Sequence, residues 1–282
     1  MQFEQLQPQV QQWIREAVSN GHPPDAMVEA LVHAGHPQTI SDAVQQYLSV
    51  LQAEGQTVRP HSSSVVARIS GTQHTSDRDV QILMALNAPR VVLFGNLLSH
   101  QECDELVAQC NSRLKPSSVV NAVNGSYDLH PSRTSSGASF RRGENALIKR
   151  IENRISELLS IPVSRGEPIQ VLNYVPGAEY KPHFDYFDPK FSGNDKILKM
   201  GGQRFATLIM YLNDVEAGGS TVFPEIGLDI LPRKGNALFF SYANDNGDLD
   251  ALTLHGGSPV VAGDKWIATK WLRLGDYTGP QA

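Results

Sequence analysis

The sequence predicts an α+β fold in which helices come first and short strands follow. Amphipathic segments occupy residues 5–53, whereas beyond residue 162 apolar stretches of strand length alternate with Gly, Pro and Asn turns. Such stretches are typical of an antiparallel barrel or sandwich, and helices that precede them give the α+β class. Hydrophobic residues make up 40% of the 282 residues, which is enough for a packed core.

The first 55 residues predict a small N-terminal helical unit. Val10, Ile14 and Ala17 repeat at the spacing of one buried helix face. Gly35 ends a second short helix, and Thr39 can cap a third. Two interpretations stay open for residues 1–55, because the unit can be an appendage of the main domain or a module that binds a protein partner.

A linker is predicted over residues 56–78, which are rich in Gly, Ser, Thr and Gln. Residues 79–282 then form the main domain. Within it, an apolar strand is expected near residues 90–94, Ser99 can cap the next helix, and residues 144–159 predict a second amphipathic helix.

Charge and cysteine content restrict the partners and the compartment. The chain has 24 Lys and Arg against 29 Asp and Glu, a net charge of −5, which gives no general attraction to nucleic acid, to an anionic membrane or to an acidic target. No apolar run reaches the roughly 18 residues of a membrane span. Cys103 and Cys110 lie about 10 Å apart along a helix, too far for a disulfide. Together with a polar N-terminus, this predicts a cytoplasmic protein.

Three residues predict a metal site. His183 and Asp185 alternate in a strand-like segment and therefore share a face, and His255 ends another apolar segment. Two histidines and one carboxylate form the facial triad of non-haem Fe(II) oxygenases, whose open positions accept a 2-oxo acid and dioxygen. Lys265, ten residues after His255, can pair with the far carboxylate of 2-oxoglutarate. The same ligand types also bind zinc, so a zinc hydrolase is an alternative.

Six stretches, in this order, make about two-thirds of the chain similar to a known family. They are PRVVLFGNLLSHQECDELV, RTSSGASF, YVPGAEYKPHFDYF, GGSTVFPE, PRKGNALFF and LHGGSPVVAGDKWIATKWLR. Together they resemble the prolyl 4-hydroxylase branch of the 2-oxoglutarate/Fe(II) dioxygenases. The resemblance implies a double-stranded β-helix (jelly-roll) core with flanking helices. It also implies Fe(II), 2-oxoglutarate and dioxygen, ascorbate as reductant, and a proline-containing peptide or protein as substrate.

The resemblance also assigns roles to single residues. The positions that match the iron ligands are His183, Asp185 and His255. The positions that match residues binding the far carboxylate of 2-oxoglutarate are Lys265, Tyr174 and Thr207. The positions that match the peptide groove are Arg133, Ser135, Glu167, Trp271 and Arg273, of which Arg273 stands where relatives often carry another polar residue such as His.

Rival functions on the same sequence remain open. A hydroxylase of a free amino acid or other small molecule would have a closed pocket in place of a groove. A non-enzymatic binding module would not need all four of His183, Asp185, His255 and Lys265. Long polar segments at 119–139 and 186–204 are expected to fold over a bound peptide and shield the metal from water.

Overall fold

Two compact units make up the chain, Met1–Ile69 and Ser70–Ala282. The computed structural model describes residues 2–19, 24–53, 71–120, 127–129, 131–242 and 248–281. Within these ranges no helix is both long and apolar enough to cross a membrane. Residues 54–70, which hold most of the predicted linker, lie outside the described ranges.

The N-terminal unit is a bundle of three helices, as its periodicity predicts. They are α1 (Pro8–Ser19), α2 (Pro24–His33) and α3 (Ile40–Ala53). Their apolar faces meet in one core, whose least exposed members are Ile14, Met27, Ile40, Ala43 and Val44. The unit therefore buries an apolar cluster of its own.

The larger unit begins inside the segment predicted as linker. Strand β1 (Thr72–His74) pairs with β2 (Asp79–Leu86) in antiparallel register. Between them, Asp77 Oδ2 accepts a hydrogen bond of 2.6 Å from Arg154, whose guanidinium is buried. Residues 71–78 are therefore tied into the larger unit by backbone pairing and by an ion pair. The linker prediction is wrong for these residues, because their polar composition resembles that of a loop while the strand is short and lies at a sheet edge.

Antiparallel strands form most of the larger unit. After β2 they are β3 (Arg90–Gly95), β4 (Lys115–Pro116), β5 (Ser118–Val120), β6 (Tyr127–Leu129), β7 (Ser136–Phe140), β8 (Ile169–Tyr174), β9 (Tyr180–His183), β10 (Arg204–Tyr211), β11 (Ala217–Gly218), β12 (Thr221–Phe223), β13 (Leu228–Ile230), β14 (Ala237–Ser241), β15 (His255–Gly257), β16 (Val260–Ala262) and β17 (Lys265–Arg273). Its helices are α4 (His100–Cys110), α5 (Ala146–Leu159) and α6 (Asp195–Leu198).

Two sheets organise these strands. Among the described residues, the larger sheet has the order β1-β2-β3-β14-β10-β17-β8-β7-β4 and the smaller one β13-β12-β15-β9. Buried side chains of both sheets, such as Phe223 and Phe240, share one apolar core. This is the double-stranded β-helix that the resemblance implies.

Helices cover the opposite face of the larger sheet. Ser99 and Glu102 form a capping box at the start of α4, as the sequence predicts for Ser99, and Asn145 caps α5. Lys270 on β17 donates to Glu152 on α5, and both side chains are buried. Because side chains alternate along a strand, Trp271 and Thr269 point the other way, toward the space between the sheets.

The two segments predicted as long loops are partly ordered into elements. The segment 119–139 contains strand residues at both ends, and its residues 121–126 and 130 lie outside the described ranges. The segment 186–204 contains a 3₁₀ turn at Ser192–Asn194 followed by α6. Their closure over a substrate stays a prediction.

A truncated chain tests where the larger unit begins. A chain of residues 70–282 should keep 2-oxoglutarate turnover, whereas a chain of residues 79–282 loses β1 and the Asp77 partner of Arg154. Loss of hydrogen bonds to a charged group costs about 1.5–3 kcal/mol, so the shorter chain should melt about 3–12 °C lower. Thermal unfolding of the two chains measures this difference, and equal melting temperatures would place residues 70–78 outside the folded unit.

Candidate active site

A cleft between the two sheets encloses about 420 Å³ of empty space, part of it open to solvent. We call it the metal cleft. From the smaller sheet and the segment after it, its walls include Tyr180, His183, Asp185, Thr221, His255, Gly256 and Gly257. From the larger sheet and the segment before β7, they include Arg133, Leu172, Tyr174, Ile209, Lys265, Ile267, Thr269 and Trp271. Most of the site residues predicted from the sequence therefore line one cleft.

Pairing of β9 with β15 brings the two histidines together. His183 and His255 are register partners, and Asp185 follows two residues after the first of them. Gly256 permits this close approach, because a Cβ there would lie 2.8 Å from the Tyr180 carbonyl oxygen. Asp185 carboxylate oxygens lie 3.6 Å from His183 Nε2 and 3.5 Å from His255 Nε2.

Backbone hydrogen bonds orient both imidazoles. His183 Nδ1 lies 2.9 Å from the Lys181 carbonyl oxygen, and His255 Nδ1 lies 3.0 Å from the Thr253 carbonyl oxygen. A carbonyl only accepts, so each Nδ1 carries the proton and each Nε2 presents a lone pair toward Asp185. The ligand atoms of the three residues all lie within 4.8 Å of one another, close enough to hold one metal ion.

Electrostatics favours the neutral imidazole of His183 and the ionised carboxylate of Asp185, the forms that bind a metal. Burial, and then the neighbouring His255, lowers the pKa of His183, so its imidazole is neutral. Burial alone would raise the pKa of Asp185, but the two imidazoles hold it well below its usual range. Two neutral nitrogens and one carboxylate on one face fit Fe(II) and leave coordination positions open.

At another part of the cleft wall lies a buried cation. Lys265 is 3% exposed, pairs in register with Tyr174, and places its Nζ 5.4 Å from the centre of that ring. Among the residues that the structure describes, none accepts a hydrogen bond from this Nζ, and burial lowers the pKa of Lys265 to about 8. A buried ammonium without a carboxylate is costly, so this part of the cleft favours an anionic ligand.

Comparisons with known proteins agree with this geometry. Residues 169–273 match the 2OG-Fe(II) oxygenase superfamily. Probable prolyl 4-hydroxylase 3 of Arabidopsis thaliana is 41% identical over 208 residues, which cover 67% of this chain and 71% of the relative. Prolyl 4-hydroxylase 5 of the same plant is 40% identical, with 67% and 70% covered.

A solved structure shows the same relationship. The viral collagen prolyl hydroxylase of Paramecium Bursaria Chlorella virus-1, crystallised as a 2OG complex, is 32% identical with a TM-score of 0.52. The match covers 65% of this chain and 95% of the viral chain. The chain belongs to the prolyl 4-hydroxylase family of 2-oxoglutarate/Fe(II) oxygenases. The family, the fold class and the enzyme class predicted from the sequence are thereby confirmed.

Thr207 of this chain, which the family resemblance assigns to 2-oxoglutarate, does not line the metal cleft. Thr207 is fully buried, and its hydroxyl donates a 2.6 Å hydrogen bond to Asp185 Oδ2. Thr221 instead lines the metal cleft on the Lys265 side, because its register partner Gly257 lies beneath the Lys265 amine. Tyr211 donates to the Thr221 oxygen, so the Thr221 proton can point at a ligand. Thr207 is thus a positioning residue for the carboxylate.

Thr207→Val tests that reassignment, since it removes the hydroxyl and keeps the shape. We expect the Fe(II) concentration for half-maximal 2-oxoglutarate decarboxylation to rise about 10–100-fold, the usual cost of losing a group that orients a metal ligand. The KM for 2-oxoglutarate should change little. Tyr242→Phe is the matched control, because the Tyr242 hydroxyl lies 3.2 Å from the same Thr207 oxygen. A raised KM for 2-oxoglutarate with unchanged iron dependence would show that Thr207 binds 2-oxoglutarate.

Two residues assigned to the peptide groove pair with each other instead. Glu167 accepts a 2.6 Å hydrogen bond from Arg273 and two more, of 2.7 and 2.9 Å, from Arg204. Burial would raise the pKa of Glu167, but Arg204 and Arg273 lower it. Both predicted groove residues are below 10% exposed. Their charges are therefore used within the protein, so a direct contact of either with substrate is not supported.

The other groove candidates do surround the mouth of the cleft. Arg133 lies over the Tyr180 ring at 4.9 Å, and that ring stacks on His183 at 3.6 Å. Ser135 lies behind Arg133 and 3.4 Å from its Nε, while its own hydroxyl donates to Ser117. Trp271 lines the cleft, and its buried Nε1 has no hydrogen-bond acceptor within the described residues.

Three contributors to the site are missing from the sequence prediction. Thr221 and Tyr180 lie in the stretches that carry the family resemblance, which is the signal that the sequence offers for them. Strand register in the structure then places both residues at the metal cleft. Arg204 packs over Trp271 at 4.1 Å and donates to the Asp185 backbone oxygen at 3.3 Å. It links the metal-ligand segment to the mouth of the cleft.

Proposed function

We propose that this chain hydroxylates a prolyl residue in a peptide or protein, using Fe(II), 2-oxoglutarate and dioxygen. One observation carries the proposal: a three-ligand metal site and a buried lysine without an acceptor line the same cleft. The Arabidopsis relatives are named prolyl 4-hydroxylases, and the viral relative is named a collagen prolyl hydroxylase. These names support proline as the target.

His183, Asp185 and His255 would hold the iron through Nε2, a carboxylate oxygen and Nε2. When bound together, iron and 2-oxoglutarate would supply dioxygen activation, the chemistry that yields succinate, carbon dioxide and a hydroxylated substrate. Lys265 and Thr221 bind the far carboxylate, and Tyr174 packs against the Lys265 amine. Thr207 holds the Asp185 carboxylate in position, and the Tyr180 ring stacks on the His183 imidazole and holds it in place.

At the mouth, Arg133 and Trp271 orient the peptide. Arg133 offers guanidinium donors to peptide carbonyls, and the Trp271 ring offers an apolar face and an N–H donor. A proline-containing chain is already close to polyproline II geometry, so it loses little conformational entropy on docking.

Three further assignments complete the proposal. Ascorbate serves as the reductant that keeps iron in the Fe(II) state. A reducing, cytoplasmic location is supported by Cys103 and Cys110, which are both free thiols. The N-terminal bundle is proposed as a module for a protein partner, supported by its separate core and by Trp13, which is 39% exposed.

The experiment is succinate release from 2-oxoglutarate with Fe(II), with and without a panel of proline-rich peptides. We expect release to increase with peptide and to require Fe(II). Stimulation by a free amino acid but by no peptide would favour the small-molecule hydroxylase. Absence of any 2-oxoglutarate turnover, with peptide hydrolysis in the presence of Zn²⁺, would favour the zinc hydrolase.

Arg133→Ala should separate peptide binding from cosubstrate turnover. We expect the KM for a proline peptide to rise about tenfold, which corresponds to the roughly 1.5 kcal/mol of a lost hydrogen bond to a charged group. Uncoupled succinate release without peptide should fall much less. Trp271→Phe keeps an aromatic face beside Arg204, so it should raise the KM for the peptide less than Arg133→Ala does. Equal losses of coupled and uncoupled turnover in Arg133→Ala would assign Arg133 to the metal site instead.

A further inference from the structure

The sheet face that lines the metal cleft continues past it to the β4 edge. Ile267, Leu172, Gly137 and Lys115 are register partners in one row across β17, β8, β7 and β4. The first two line the metal cleft, and the last two line a second space of about 1040 Å³ that is open to solvent. Gly137 keeps the floor of this space low, because a Cβ there would lie 2.9 Å from Leu172 Cδ2.

A hydrogen-bonded pair of side chains joins the walls of the two spaces. Arg133 lines the metal cleft and donates through Nη2 to Gln170 Oε1 at 2.9 Å. Gln170 lines the second space. A chain that leaves the metal cleft over this pair therefore enters the second space directly.

The second space is positively charged. Arg113, Lys115 and Arg141 line it, and no Asp or Glu does so in the described part of the chain. Arg113 is neutralised by Glu144, whose carboxylate lies 2.9 Å away. Lys115 and Arg141 are exposed. The Arg141 charge also acts on Glu144, so three cations share this one carboxylate at most. We call this space the basic groove.

We propose that the basic groove binds acidic residues that flank the target proline of the peptide substrate. This inference rests on the proposed prolyl hydroxylation and adds a sequence preference to it. The overall charge of −5 suggests a neutral or basic target, but recognition depends on the charges that face the bound chain, and those at the basic groove are positive.

Strand spacing sets where the acidic residues should fall. From Leu172 to Lys115 there are two strand steps, and from Ile267 there are three, which at about 4.8 Å each give roughly 10–14 Å. A polyproline II chain advances about 3.1 Å per residue. The favoured carboxylates should therefore lie about three to five residues from the hydroxylated proline.

Single-proline peptides test this preference in the full chain. Each carries one Glu at a position two to seven residues before or after the proline, and each is compared with its Gln counterpart. We expect kcat/KM to be about two- to fivefold higher for Glu at the favoured positions on one side, the range that exposed ion pairs supply. The advantage should shrink in 0.5 M salt (about 4 Å screening length), because the groove is open to water.

Charge reversal assigns the preference to the basic groove. In Lys115→Glu and Arg141→Glu, the ratio of kcat/KM for the Glu and Gln peptides should fall to one or below. Arg233→Glu changes the net charge equally and should keep the ratio, since Arg233 precedes β14, which four strands separate from β4. Gln peptides hydroxylated as well as Glu peptides, or a ratio unaffected by the two reversals, would overturn the groove proposal alone. No hydroxylation of any peptide would overturn the proposed function and this inference with it.

Discussion

Replacing His183, Asp185 or His255 by alanine is expected to abolish 2-oxoglutarate turnover and to release bound iron. Each residue supplies one of the three protein ligands that lie within 4.8 Å of one another. Its removal should therefore lower iron affinity by more than the roughly 10–100-fold that follows loss of a residue orienting a ligand. Iron per chain by elemental analysis and succinate release measure the two effects. Folding should persist, because these variants leave every apolar side chain of the core cluster unchanged.

Thr207→Val is the graded control for these three variants. It should weaken iron binding without abolishing turnover at high Fe(II), whereas the ligand variants should not recover at any iron concentration. Full decarboxylation by one of the alanine variants would remove that residue from the ligand set.

Lys265→Ala is expected to raise the KM for 2-oxoglutarate about 30-fold to a few thousandfold. A buried carboxylate that loses its charge partner costs about 2–5 kcal/mol. Lys265→Met is the matched variant, because it keeps the length of the side chain and removes only the charge. Lys265→Arg should also impair binding, since the side chain packs against Gly219, where a Cβ would lie 3.3 Å from Lys265 Cδ.

The pH profile gives a second measure of the same residue. Burial lowers the pKa of Lys265 to about 8, and only the protonated amine attracts the carboxylate. The KM for 2-oxoglutarate should therefore be constant on the acid side of that value and rise above pH 8, and Lys265→Arg should remove the rise. A KM that is unchanged in Lys265→Ala would make the lysine structural.

Strand alternation and local capping make part of the site and fold predictable from the sequence. His183 and Asp185 share a face because they alternate, and β17 begins at Lys265 in one of the apolar stretches of strand length. Ser99 caps α4 because the Ser-x-x-Glu pattern satisfies the first free N–H groups of the helix. These features depend on residues close together in the chain.

Long-range pairing explains the failures. Glu167 and Arg273 are 106 residues apart, and the sequence does not show that each already has a partner. The sequence does not predict the position of Arg204, because a β-bulge between Arg204 and Ala206 shifts the strand register. The shift makes Arg204 the partner of Arg273, on the sheet face that carries Trp271. The family pattern assigns Thr207 to 2-oxoglutarate, but its 2.6 Å hydrogen bond to Asp185 depends on a contact between two separate segments.

Prolyl hydroxylation can be measured by mass spectrometry of a proline peptide incubated with the full chain, Fe(II), 2-oxoglutarate and ¹⁸O₂. We expect one labelled oxygen atom on a prolyl residue, located by fragmentation, and one succinate released for each hydroxylated peptide. His183→Ala should give neither product. Labelled oxygen found only on a free amino acid or another small molecule, with every peptide unmodified, would contradict prolyl hydroxylation by this chain.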